Sequence, residues 1–153
     1  MTPSDDLLFD TQYGYWFNLK CERFYRHLDL LLNTAQLLGG SGAVLGVVGG
    51  YPAFLAAVGV LLALAAAVAL LVQPAIKAGL HAATKNGFVK LLASHKTQPA
   101  QEVESHIATL RAEAPAGLSF LEQPAYNAAV QAIGRPDAKV PLTRAEAILG
   151  GLT

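Results

Sequence analysis

Polar side chains almost vanish from the chain between Leu28 and Val72, where two apolar stretches stand back to back around Gly49-Gly50-Tyr51-Pro52. From Tyr51 to Val72 no charged or strongly polar side chain occurs. At about 1.5 Å per residue, that length crosses a hydrocarbon core of about 30 Å. The pattern predicts a transmembrane helical hairpin whose turn is the Gly-Gly-Tyr-Pro segment. Upstream, Met1 to Thr11 reads as an acidic lead, and Gln12 to Gly49 as one long helix that begins in water and ends in lipid. Downstream, Pro74 interrupts the backbone hydrogen bonding and marks the return to the interface. A helix then resumes to about Leu92.

That juxtamembrane helix intersperses Lys77, His81, Lys85 and Lys90 with Ile76, Leu80, Phe88, Val89, Leu91 and Leu92. Such a basic amphipathic pattern suits anionic lipid, and it equally suits packing on the aromatic first turns of the long helix. After a linker around Pro99, Gln101 to Glu113 carries Val103, Ile107 and Leu110 on one helical face. Leu118 to Gly134 predicts another helix or a broken pair, restarted by Pro124 and ended by Gly134. Thr143-Arg144-Ala145-Glu146 matches a capping box ahead of Ile148, Leu149 and Leu152. This tail of about 50 residues is too small for a large core of its own and should dock on the rest. The fold class is therefore an all-α membrane protein in three parts. Residues 1–27 form a cytoplasmic segment with an aromatic-basic helix entry, 28–73 the hairpin, and 74–153 a juxtamembrane helix with a helical cytoplasmic tail.

The first apolar stretch differs from the second by its polar residues. Glu22, Arg26, Asp29, Asn33, Gln36 and Gly40 follow steps of four and three, which places them along one helical stripe. Asn33 and Gln36 lie at membrane depth, where an unpaired amide costs several kcal/mol, so they must face protein or water. Two arrangements meet that demand. The stripe is sealed by hydrogen bonds across a helix pair, worth about 0.6 to 2 kcal/mol per contact, or several copies turn it toward a shared polar lumen. Farther along, Gly42, Gly46 and Gly50 are spaced by four and form a small-residue face for close helix packing. Ala53, Ala57, Ala63, Ala66 and Ala67 make the chain's own second helix a suitable partner, and a neighbouring subunit fits as well.

Charge distribution sets the topology. Lys20, Arg23, Arg26 and His27 precede the first apolar stretch, Lys77, Lys85, Lys90 and Lys96 follow the second, and the turn has no charge. The positive-inside bias then places both termini in the cytoplasm. Tyr15, Trp16, Phe17 and Tyr25, with Lys77 and Lys85, are the candidate membrane-interface residues, and packing against the C-terminal region is the competing role for the aromatic ones. Asp5, Asp6 and Asp10 contradict a signal peptide, so the N-terminus is expected to stay on the mature protein. Charged residues make up 14% of the chain, against about 25% in soluble domains, leaving too few to coat a soluble surface. Acidic and basic residues balance, which speaks against a nucleic-acid partner.

No catalytic constellation stands out. His27, His81, His95 and His106 lack the spacing of a metal site, and the glycines of residues 39–50 lack the Lys-Ser/Thr of a phosphate loop. No cofactor, metal or enzymatic activity is expected. The lone Cys21 reads as a small packing residue.

Tyr15-Trp16-Phe17, the run Cys21-Glu22-Arg23-Phe24-Tyr25-Arg26 leading into Leu28 to Val48, and Ala125-Tyr126-Asn127 in the tail give the chain a likeness to a known family. It resembles the SLATT class of bacterial two-transmembrane domains, found beside nucleotide-signalling and other conflict systems. The resemblance implies a multi-pass bacterial inner-membrane effector that forms homo-oligomers and permeabilises the bilayer; a phage holin-like protein belongs to the same physical class. No nucleotide-sensing segment is evident, so the trigger would come from another protein or from assembly. A membrane anchor whose cytoplasmic tail binds a protein partner is the alternative.

Overall fold

Proline at the first position of a helix sacrifices an amide that has no intrahelical acceptor anyway, and acidic residues in the first turn are favoured by the helix dipole. Pro3, Asp5 and Asp6 supply both features, and helix α1 accordingly spans Pro3–Gly49. The acidic segment expected to lead into a helix at Gln12 is thus already helical from Pro3; Met1 and Thr2 lie outside the described residues. The computed structural model describes the backbone of residues 3–153, and the side chains of these except for 3–4 and 43–48. Five further helices follow: α2 (Pro52–Val72), α3 (Pro74–Ser94), α4 (Ala100–Glu113), α5 (Glu122–Ala132) and α6 (Arg144–Leu152). Single 3-10 turns occupy Ser119–Leu121 and Pro136–Ala138, and no strand occurs among the described residues.

The punctuation of the chain explains most boundaries. Gly50 takes φ +72° between α1 and α2, a left-handed conformation that glycine adopts without steric penalty. Gln73 closes α2 at φ 51°, its amide donating to Ala69 O at 3.0 Å, before Pro74 starts α3. Gly134 ends α5 in a Schellman arrangement, with Arg135 N donating to Val130 O at 2.8 Å and Gly134 N to Gln131 O at 3.1 Å. The capping box at Thr143 is present in both directions and starts α6.

The chain forms two units. The first comprises the residues up to Phe24 together with Lys77–Thr153. Its core is Phe88 and Leu91 of α3 against Val103 and Ile107 of α4, with Leu7 and Tyr15 of α1 and Leu110 packed around them. The tail therefore docks through the face that its sequence spacing marks. Leu121, Ala125, Ala129 and Val130 are buried as well, where α5 meets α6 and the short turns. Asn127 holds the following loop by a two-way clamp, donating to Val140 O and accepting from Val140 N, both at 2.8 Å.

The second unit is Tyr25–Ile76. α1 and α2 run back along each other here, Gly39 lying against Leu62 and Gly42 opposite Phe54. No residue of α2 is buried. Leu30, Leu31, Leu37 and Leu38 of α1, and Leu61, Leu64, Leu70 and Leu71 of α2, are exposed. Among the described residues one helical stretch, Pro52–Ser94, is long and apolar enough to cross a membrane, and none of its most apolar window is buried.

Candidate functional site

Within the second unit the polar residues of α1 stand among exposed leucines. Asn33 is exposed, and its Nδ2 donates to Asp29 Oδ2 at 3.1 Å, one turn back on the same helix. Gln36 is half-buried and makes no side-chain hydrogen bond among the described residues. Gly40 is open, with nothing within 4 Å of where a Cβ would stand. Arg26 is exposed and Asp29 half-buried. Among the described residues neither Asn33 nor Gln36 is hydrogen-bonded to α2.

Glu22, the first residue of the proposed stripe, belongs to the other unit. It is buried and accepts from Lys85 Nζ at 2.7 Å, with side-chain exposures of 20% for Lys85 and 8% for Glu22. One ion pair thus takes one residue from the expected stripe and one from the expected membrane interface. The glycine face is likewise divided. Gly42 lies near Phe54, Gly50 has open space around it, and Gly46 lies outside the described residues. Gly39, not part of the four-residue spacing, lies closer to α2 than Gly42 does, since a side chain there would collide with Leu62.

The aromatic entry packs inside the first unit. Tyr15 joins the Phe88 cluster and Phe17 lies against Gly117; Tyr25, the first residue of the second unit, is buried. Trp16 meets Tyr15 edge to face at 5.3 Å, and its indole nitrogen has no acceptor among the described residues. Phe24 meets Phe120 edge to face at 5.3 Å. For Tyr15, Phe17 and Phe24 the packing partners lie in the same unit, at the Phe88 cluster, Gly117 and Phe120. Lys77 is half-buried.

Beneath these rings runs a polar junction that no sequence spacing announces. His81 is fully buried on α3, its Nδ1 lying 2.8 Å from Asn18 Oδ1 of α1. Asn18 Nδ2 donates to Gly14 O at 2.8 Å, which turns its carbonyl oxygen toward the imidazole and makes Nδ1 the donor. Burial lowers the His81 pKa, opposed by a backbone hydrogen bond with Ala116 and by Glu22, while Lys77 adds to the lowering. Nearby, burial pushes the Cys21 thiol up to about 11. The only sequence signal for this junction is 63 residues of separation between polar positions on two helices, which carries no pattern.

An open cleft of about 430 Å³ lies on the same unit, between Phe9, Asp10 and Tyr13 of α1, Arg111 of α4, Glu122 and Tyr126 of α5, and Val140. Phe9 and Tyr126 meet edge to face at 5.5 Å, and Arg111 pairs with Asp10 at 3.0 Å. Burial, then the charge of Glu122, raises the Tyr13 pKa. No family model, no curated protein and no solved structure matches this chain.

Proposed function

We propose that this is a two-span membrane protein whose hairpin, residues 28–73, oligomerises and permeabilises the bilayer, with both termini on the cytoplasmic side and no enzymatic role. The observation that carries the reading is that, among the described residues, Gln36 has no hydrogen-bond partner and Asn33 bonds only to its own helix. In hydrocarbon such groups cost several kcal/mol, and the cost disappears when further copies or water face them. The exposed leucines of both helices support lipid as the surrounding medium. The stripe residues Asp29, Asn33 and Gln36 then line the path, and SLATT-like membrane effectors are the family this reading favours. The test is ion leakage from vesicles reconstituted with the purified chain. Asn33→Leu combined with Gln36→Leu should insert normally and abolish leakage; undiminished leakage removes the stripe from the mechanism.

The open aromatic cleft favours a second reading, an adaptor anchored by the hairpin and bound to a cytoplasmic protein. Truncating residues 101–153 does not separate the two, because it would uncover Phe88 and Leu91. Tyr126→Arg, which fills the cleft without touching the hairpin, should abolish the activity of an adaptor and leave leakage unchanged.

A further inference from the structure

The cleft on the first unit combines aromatic rings with an unbalanced charge. Phe9 and Tyr13 stand one turn apart on α1, their ring centroids 6.2 Å apart and their planes within 21° of each other. Across from them the ring of Tyr126 on α5 meets Phe9 at 5.5 Å, with the planes 67° apart. The three rings form a corner, and all of them line the same open cavity of about 430 Å³. The lining is held in place. Tyr13 stacks on Phe17, which lies against Gly117, and Val140 is fixed by its two hydrogen bonds with Asn127.

Asp10, Arg111 and Glu122 carry the charges of this lining. Asp10 and Arg111 offset each other across 3.0 Å. That leaves the carboxylate of Glu122, which is exposed and makes no ion pair among the described residues. Its field reaches the rings, since it is the charge that, after burial, raises the Tyr13 pKa. Aromatic faces with one net negative charge beside them attract a cation. Hydration selects the kind of cation. A primary ammonium carries three N–H donors that need acceptors once water leaves, and beyond Glu122 and Gln123 this lining is mainly rings and Val140. A quaternary ammonium has no donor to satisfy and meets the rings through its methyl groups.

We infer that the cleft binds a small quaternary ammonium compound, its cationic head in the corner of Phe9, Tyr13 and Tyr126 and Glu122 its counter-charge. Every residue of the cleft belongs to the first unit, so the inference rests on neither reading of the hairpin. The test is isothermal titration calorimetry of the full chain, in a maltoside detergent, with choline and with the neutral alcohol in which carbon replaces the ammonium nitrogen. Choline should bind about tenfold more tightly than the alcohol. Glu122→Gln, at an exposed position, should weaken choline about two- to fivefold and leave the alcohol unchanged. Tyr126→Leu should weaken choline about tenfold, and Glu122→Gln keeps the test decisive if loss of that ring disturbs the fold. No binding of choline, equal binding of the two compounds, or a choline affinity unchanged by Glu122→Gln overturns the site.

Discussion

The same substitution should stabilise the protein at one glycine and fail to do so at another. Gly14 of α1 lies directly against the ring of Phe88, so that a Cβ would overlap it, whereas nothing stands within 4 Å of a Cβ at Gly79 of α3. Glycine inside a helix costs about 1 kcal/mol relative to alanine, and Gly79→Ala should recover that amount. Gly14→Ala gains the same propensity term but drives a methyl into a ring that is 1% exposed and hemmed in by Leu91, Val103 and Ile107. Overpacking of this kind costs about 1 to 3 kcal/mol, so the sum runs from about neutral to about 2 kcal/mol destabilising. The gap between the two variants isolates the collision. Urea titration in detergent micelles, followed by fluorescence of Trp16, the single tryptophan, measures both midpoints. Equal stabilisation by the two substitutions would refute the close approach of α1 to α3 at Phe88.

Three further outcomes follow from the first unit. Glu22→Gln leaves the Lys85 ammonium without its carboxylate partner and should cost about 1 to 3 kcal/mol, while Glu22→Gln with Lys85→Met should recover part of that loss in the same titration. His81 is held below the ordinary imidazole value of about 6.5, so its neutral form is the folded one. Its contribution is complete above that value and is lost as pH falls below it, and His81→Gln should flatten the stability profile below about pH 6.5. A thiol reagent at neutral pH should leave Cys21 unmodified until urea unfolds the unit; rapid modification of the native chain would contradict its burial.

Local pattern determined the helices and their ends. Pro52, Pro74, Gly134 and Thr143 each act through their own backbone or side chain within a few residues, so their effect is visible without the fold. The apolar face of α4 was legible for the same reason, since Val103 and Ile107 share a face through helical period alone. At the N-terminus the pattern was present but weak: Pro3 and the two acidic residues start α1, where acidity alone suggested a lead. What only the tertiary structure decided was partnership. Glu22 fits a stripe by spacing, yet Lys85, 63 residues away, takes it, and the aromatic entry turns to the C-terminal helices. Asn33 bonds to Asp29 on its own helix, and among the described residues no hydrogen bond from another helix reaches it or Gln36. Periodicity specifies which face a side chain occupies; which surface meets that face depends on contacts distant in sequence, where charge pairing and ring packing are set by the whole fold.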